Sequence, residues 1–551
     1  MFRPSLASTI PSLLTALALV GCNSRVDPPI EFEPNLVHSV KYQIKDDIPM
    51  EQATQDADWV VRQMFGTPDE PALPEAITGE DDLVAMLSTD RLMRASGPSN
   101  AEGRGLFRKH CAVCHGVTGN GRGETAAVQV PYPRDYRMGI FKFKSTPRGE
   151  KPTREDMAKL IRGGIAGTAM KPIPELKEED IQALVEYVIY LSWRGEVERA
   201  LVDDAVNELD LEGGDRLLNY EFATKLNGSA EFGEMLEAIN EDVEGDDLEE
   251  FEDYMEFASR LKAEEGLKAR MEEAAKADDV SEEVEQELDL YKTYTDMAED
   301  IAEDADWKLQ LSEAAKKTTS SELLNYENYL ESWEIAEDLA VDIGTSWLDA
   351  DEEVLDVPAP PEGLPLAESY EDVVAFSFGD QAEAFAASVK RGQELFVGKI
   401  ASCSKCHGET GLGNGQTTDY DDWTKDWTLR VGIKPEDRDT LIPLLARGAL
   451  PPRNALPRNF AQGVFRGGST SQDLYRRIMQ GIDGTPMPAA TFVEGQFEQD
   501  DVWNLINFIR SLEKPLENQP VSPAGIEPSQ TEPTAAEPAA AEPAAVEPAA
   551  A

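Results

Sequence analysis

Hydrophobic residues recur at helical spacing along much of the chain, and this pattern predicts a mainly α protein. In the segment 179–193 the apolar positions share one helical face, and they are Ile181, Leu184, Val185, Val188 and Leu191. Further helices are predicted over 50–64, 154–161, 235–275 and 320–343. At 551 residues the chain is long enough for several such domains.

A five-residue motif, Cys-x-x-Cys-His, occurs twice, at 111–115 and at 403–407. Two thiols at this spacing can bond the two vinyl groups of one haem, and the adjacent histidine can reach the iron as an axial ligand. A zinc half-site or a redox dithiol is the alternative interpretation. Zinc would need more ligands, and the motifs leave only Cys22, His38 and His110. We therefore predict two covalent haem c groups, held by Cys111, Cys114, His115, Cys403, Cys406 and His407.

The sequence around the first motif recurs around the second, which indicates an internal repeat. The matching segments are Leu106-Phe107 with Leu395-Phe396, Pro133-Arg134-Asp135-Tyr136 with Pro457-Arg458-Asn459-Phe460, Ser145-Thr146 with Ser469-Thr470, and 180–191 with 501–512. The second copy also carries an insertion before Pro457, which includes Trp423, Trp427 and Arg447. The repeat predicts two domains of the same kind.

Both copies contain the stretch Gly-Ile-x-Gly-Thr-x-Met, which ends at Met170 in the first and at Met487 in the second. Glycine and a nearby proline let such a loop approach a haem and hold a thioether at the iron, which raises the reduction potential. Met170 and Met487 are therefore the predicted sixth ligands. Met157 and Met479 fall on predicted helices and are expected in the core, and Met138 has no counterpart in the other copy.

The order of a first helix, Cys-x-x-Cys-His, a long loop, a methionine and a closing helix resembles the class I cytochromes c. The tandem arrangement is similar to the dihaem c-type subunits of bacterial respiratory oxidases of the cbb3 type. Those subunits carry a transmembrane helix, which this chain replaces with a lipid anchor and an acidic insert.

The resemblance implies two cytochrome c-like helical haem domains, over 100–194 and 365–516. It further implies that both irons have His/Met ligation and pass single electrons in a bacterial periplasmic respiratory chain, with no catalytic residues. The alternative is a dihaem peroxidase-like enzyme, which needs one open iron site and acid–base groups above it.

The first 21 residues are typical of an export signal, with Arg3 before an apolar run over 13–20. The stretch ending at Cys22 resembles the lipobox of bacterial lipoproteins, and an ordinary secretory signal is the alternative. This resemblance implies a lipid anchor at Cys22 on the periplasmic side of the inner or outer membrane. The segment 22–99 is expected to be a tether, with His38 on its surface.

The formal net charge is −55, concentrated largely in the segment 195–364 and in the tail 517–551. Such a field excludes nucleic acid as a partner and favours a redox protein with a basic docking face. The segment 195–364 is predicted to be an acidic helical insert without Cys or His, either a spacer or a partner-binding module. The Glu-Pro-Ala repeats of the tail predict disorder. The first haem domain is less acidic, and its basic residues Arg134, Arg137, Lys142 and Lys144 are candidates to hold haem propionates.

Overall fold

The computed structural model describes residues 30–79, 81–100, 103–277, 280–416 and 418–514. The predicted signal peptide over 1–21, the predicted lipid anchor at Cys22 and the tail over 517–551 lie outside these residues. The described part is built from helices and turns without β-strands, so the predicted mainly α fold class is confirmed. None of its helices combines the length and the apolar character that crossing a membrane requires.

The chain forms two compact units, and each is a mosaic of segments. The first comprises the described residues of Met1–Ala359, Gln416–Leu456 and Phe465–Gln496. The second comprises those of Pro360–Gly415, Pro457–Val464 and Phe497–Ala551.

The first unit contains most of the helices. They are α1 (Leu36–Asp46), α2 (Glu51–Phe65), α3 (Asp81–Met86), α4 (Thr89–Ala95), α5 (Leu106–His110), α6 (Ala112–His115), α7 (Arg154–Gly163), α8 (Glu178–Glu208), α9 (Tyr220–Asn227), α10 (Ala230–Asn240), α11 (Gly245–Ala263), α12 (Leu267–Ala274), α13 (Glu282–Glu303), α14 (Ala305–Ala314) and α15 (Ser320–Leu348). The helices predicted over 50–64, 154–161, 235–275 and 320–343 correspond to α2, α7, α10 to α12 and α15.

The other helices follow in chain order. They are α16 (Tyr370–Phe378), α17 (Ala382–Val397), α18 (Ser404–His407), α19 (Asp422–Asp426), α20 (Arg438–Ala446), α21 (Ser471–Gln480) and α22 (Asp501–Ser511). Helices α19, α20 and α21 belong to the first unit, and the remaining four belong to the second. In the second unit α17 and α22 cross closely. Gly392 allows this crossing, since a Cβ at this position would clash with the carbonyl oxygen of Asn504.

Helix α8 runs through the core of the first unit and extends well past the predicted end of its apolar stripe at residue 193. Trp193 is fully buried, and its Nε1–H donates to the carbonyl oxygen of Ala340 in α15 (2.8 Å). Gly344 allows this approach, since a Cβ there would come within 2.6 Å of the Trp193 ring. The insert is therefore joined to the first haem domain through α15.

The segment 30–99, expected as a tether, shares the core of α8 instead of standing apart from it. Helices α2 and α4 pack against α8, and Phe65 contacts the ring of Trp193 edge to face (5.9 Å). The insert has a second apolar cluster of its own between α9 and α15, which includes Leu236, Leu248 and Leu311. Burial of these leucines stabilises the acidic helices that propensity alone would leave marginal.

The prediction that His38 lies on the surface is wrong. Its side chain is only 1% exposed, and Nε2 lies 2.7 Å from Oδ1 of Asp203 on α8. The same carboxylate accepts a hydrogen bond from the hydroxyl of Tyr42 (2.5 Å). Because α1 lies between α8 and α20, a residue that looks polar in the sequence becomes enclosed and is compensated by one carboxylate.

Acid should lower the folding stability of the first unit because His38 becomes protonated. Burial and, to a smaller extent, the charges of Arg199 and Lys41 outweigh the opposing effect of Asp203 and together lower the pKa of His38 from 6.5 to about 4. Protonation therefore favours the unfolded chain, so this stability is present above pH 6.5 and is lost as the pH falls towards 4. The loss amounts to roughly 3 kcal/mol in total.

Urea denaturation followed by far-UV circular dichroism between pH 7.5 and 4.5 measures this dependence. The His38→Gln variant should show a flatter profile between pH 6.5 and 4.5 than the parent. Burial raises the pKa of Asp203, but the hydrogen bonds from His38 and Tyr42 and the charges of His38 and Lys41 together outweigh burial and lower that pKa to about 2. Parallel profiles for parent and variant would contradict the assignment to His38.

Two candidate haem c sites

The first Cys-x-x-Cys-His motif lies on the short helix α6, directly after α5. His115 is oriented from both sides, because Nδ1–H donates to the carbonyl oxygen of Arg134 (3.1 Å) and the ring stacks on Tyr136 (4.8 Å between centroids). Burial lowers the pKa of His115 to about 4, so the imidazole is neutral near pH 7. Nδ1 is engaged, and Nε2 therefore carries the lone pair that can bind iron.

Cys111 and Cys114 are both reduced and unpaired. Burial raises the pKa of Cys111 to about 12, so its thiol stays protonated. Sγ of Cys114 accepts a hydrogen bond from Nε2 of Gln129 (3.0 Å). Two thiols at this spacing can each add S–H across a vinyl group, so the donor set fits a covalently attached haem.

Glycines fold the following loop back onto the motif. Gly116 has φ +75°, and a Cβ there would come within 2.3 Å of Oδ1 of Asn120. A Cβ on Gly123 would come within 2.4 Å of the carbonyl oxygen of Val113. The loop can pack this closely against the motif only because both positions lack a side chain.

The second motif, on α18, has the same local geometry. Nδ1–H of His407 donates to the carbonyl oxygen of Arg458 (3.1 Å), and its ring stacks on Phe460 (4.5 Å). Gly408 again lies against an asparagine, with a built Cβ 2.1 Å from Oδ1 of Asn414. Burial raises the pKa of Cys403 to about 11 and lowers that of His407.

The two methionine loops are the same turn. The carbonyl oxygen of Met170 accepts from the N–H of Ile165 (2.8 Å), and that of Met487 accepts from Ile482 (3.2 Å). In each loop the methionine N–H donates to a threonine Oγ1, at 3.1 Å for Met170 and 3.2 Å for Met487. The glycines that open these turns have φ +66° and +71°.

The structure places the predicted ligands unevenly between the units. Cys111, Cys114, His115 and Met170 all lie in the first unit. The residues Cys403, Cys406 and His407 lie in the second unit, while Met487 belongs to the first. Ligation by either methionine therefore stays a prediction that rests on the shared turn.

The competing ligands have other roles in the structure. Met157 is buried in α7, as predicted for a core residue. His110, which directly precedes Cys111, points Nδ1 towards Oε1 of Glu175 (4.0 Å). Met138 lies in a short turn beside Tyr136.

Of the basic residues predicted near the first haem, two are already paired. The guanidinium of Arg137 bonds the carboxylate of Asp135 (2.7 Å), and Nζ of Lys144 lies 3.0 Å from Oδ2 of Asp483. Their use for haem propionates is therefore not supported, because a carboxylate of the protein satisfies each of them.

Arg134 and Lys142 instead lie over the ring of Trp423, from the insertion of the second copy. Cζ of Arg134 is 3.8 Å and Nζ of Lys142 is 4.7 Å from the ring centroid. Burial lowers the pKa of Arg134 to about 10 and that of Lys142 to about 8. Nη1 of Arg134 and Nε1 of Trp423 are buried without a hydrogen-bond partner among the described residues.

These buried donors fit the carboxylates of a haem bound at His115, because an anion would satisfy them and offset the cost of burying the cations. Sequence reasoning missed Trp423, since its only signal was an aromatic residue in an insertion about 300 positions away.

The cytochrome c family model matches residues 100–192 and 389–513, about two-fifths of the chain. These segments are two cytochrome c domains, and such domains carry covalent haem c and transfer electrons. The chain is also similar to a solved structure of the reducing HAO-like protein complex of Kuenenia stuttgartiensis, with 17% identity over 76% of this chain and 98% of that chain and a TM-score of 0.33. That similarity is too low to transfer a fold or a function. No curated protein matches the chain significantly.

Proposed function

We propose that the protein is a dihaem c-type cytochrome that passes single electrons in a bacterial periplasmic respiratory chain. The observation that carries the proposal is the pair of equivalent methionine turns at Met170 and Met487. His115 with Met170 and His407 with Met487 would hold the two irons, and this ligation would leave no position for a substrate. When bound, haem supplies a one-electron Fe(III)/Fe(II) couple.

The residues of the chain would orient the haem ligands and keep the surroundings of the haem rigid. The carbonyl oxygens of Arg134 and Arg458 fix the imidazoles of His115 and His407, so each ring would keep its orientation when it holds a haem iron. The tight glycine loops hold the backbone of each motif in place. A rigid surrounding lowers the reorganisation that accompanies transfer of one electron.

The absorption spectrum of the oxidised protein tests this function. Both haems should be low-spin and should contribute the weak far-red band typical of His/Met ligation. Photometric titration should then give two one-electron steps without turnover of hydrogen peroxide. A high-spin component together with peroxide reduction would instead indicate the peroxidase-like enzyme with one open iron.

The partner proposed for this carrier is a redox protein with a basic docking face. The segment 195–364 contains 53 Asp and Glu against 12 Lys and Arg, which accounts for 41 of the 55 net negative charges. Much of this charge is exposed on the helices of the insert, for example at Glu282, Glu283 and Glu285 at the start of α13. A field of this kind accelerates encounter with a cation and is screened by salt.

Replacement of Glu282, Glu283 and Glu285 by Gln should slow electron transfer to a cationic cytochrome several-fold at 10 mM salt. The difference should vanish near 0.5 M salt, where the Debye length is only about 4 Å. Stopped-flow kinetics measure both rates. The matched control replaces the exposed Glu371, Glu383 and Glu394 of the second unit by Gln. Equal effects of the two triple variants would show that the insert has no special part in docking.

The proposed location is the periplasmic side of a bacterial membrane, held by lipid at Cys22. Its support is the export signal over 1–21 and the order of cytochrome c domains, which is similar to that in cbb3-type dihaem subunits. A Cys22→Ser variant that stays in the membrane fraction would contradict the lipid anchor.

A further inference from the structure

The first cytochrome c domain contains a short segment that the second copy lacks. Helices α7 and α21 begin with the same capping box, formed by Thr153 with Asp156 and by Thr470 with Asp473. Seventeen positions separate Tyr136 from Thr153, whereas ten separate Phe460 from Thr470, a difference of seven. Thr153, and not the predicted Thr146, is thus the structural counterpart of Thr470. The additional residues are 146–152.

This additional segment contacts the loop that carries Met487. Nη1 of Arg148 donates to the carbonyl oxygens of Met487 (3.2 Å) and Thr485 (3.3 Å). The N–H of Gly149 donates to Oδ2 of Asp483 (2.9 Å). Both ends of the methionine turn are therefore bonded to the first domain.

Lys144, two positions before the segment, reinforces these contacts. Its Nζ lies 3.0 Å from Oδ2 of Asp483, and its carbonyl oxygen accepts from Nε2 of Gln480 (2.7 Å). Burial raises the pKa of Asp483, but the Gly149 N–H and the Lys144 charge outweigh it and leave the pKa below its ordinary value. The carboxylate is therefore ionised and held by two donors.

Trp423 closes the loop from another direction. A Cβ on Gly484 would come within 2.2 Å of the Trp423 ring, so the loop fits only with glycine at this position. Gly481 and Gly484 are buried, whereas the corresponding Gly164 and Gly167 of the Met170 loop are partly or fully exposed. The two turns are alike internally, but the Met487 turn is the more enclosed.

We propose that Lys144, Arg148 and Gly149 form a clamp that positions Met487 as the axial ligand of the second iron. The proposal rests on the proposed ligation by Met487 and adds that the first haem domain controls it. Arg148 and Lys144 are positioning residues, since they act on the methionine through its backbone turn. Loss of the clamp would then loosen the turn that carries this ligand.

The test measures two properties of the oxidised dihaem protein. They are the rate at which it binds cyanide and the strength of its far-red absorption band. Arg148→Ala and Asp483→Ala should each accelerate cyanide binding at one of the two irons by about tenfold, because a hydrogen bond to a charged group is worth roughly that factor. The far-red absorbance should fall in parallel, with both haems still attached. Arg148→Lys should restore part of the loss, since an ammonium group can donate to the same carbonyl oxygens.

Arg447→Ala is the matched control, because its exposed guanidinium bonds only the carbonyl oxygen of Pro443 among the described residues. It should bind cyanide as slowly as the parent.

Met487→Ala separates the clamp from the ligation on which it rests. If Met487→Ala opens an iron while Arg148→Ala and Asp483→Ala do not, the clamp is refuted and the ligand stands. If Met487→Ala itself changes nothing, the ligation is refuted, and a loss of far-red absorbance in Arg148→Ala would have another origin.

Discussion

Cys406→Ala should lose about half of the covalently bound haem, because one of the two attachment motifs is broken. We expect the second unit to be poorly folded as well, since a domain this small needs the haem to complete its core. The pyridine haemochrome assay gives the number of haems per chain, and far-UV circular dichroism follows folding. Cys111→Ala should have the corresponding effect on the first motif.

Ser404→Ala is the matched control, because Ser404 lies inside the same motif and carries neither a thiol nor an imidazole. It should keep two haems per chain. Two fully attached haems in Cys406→Ala would refute the assignment of this motif. The first unit should retain more structure than the second after loss of its haem, since its core also includes α2, α4 and α15.

Met170→Ala should open the first iron, lower its reduction potential and leave the haem attached. Loss of the thioether removes the ligand that favours Fe(II). Cyanide should then bind at least about tenfold faster at that iron, as expected for loss of a bond worth 1.4 kcal/mol or more. Met487→Ala should do the same at the second iron.

Met157→Leu and Met138→Leu are the controls for these variants. Met157 is a buried core residue, and Met138 lies in the turn beside Tyr136, so neither substitution should change the far-red band. Unchanged cyanide binding in Met170→Ala, or a lost far-red band in Met138→Leu, would assign the sixth ligand elsewhere.

Local patterns predicted the elements that depend on neighbouring residues. The apolar stripe over 179–193 predicted most of α8, because helical periodicity and burial coincide there. The stripe did not predict the extension of α8 to Glu208, where the buried Glu198 and the half-buried Asp203 interrupt it. Glu198 is compensated by Arg194 (2.8 Å), and Asp203 by His38. A charged residue looks solvated in a sequence until its partner is known.

By itself the sequence determined the mainly α fold class and the two cytochrome c domains, and it predicted the residues that attach haem. These depend on spacing within a few positions, where Cys-x-x-Cys-His and the glycines constrain the chain directly. Only the tertiary structure decided that Trp423 lies over Arg134, that Arg148 bonds the Met487 turn and that His38 is buried. Each of these features depends on residues more than 150 positions apart. The local sequence around one residue of such a pair does not predict its partner. Packing around a shared core brings such residues together, because enclosing apolar surface such as Trp193 stabilises the fold while the polar groups find partners within it.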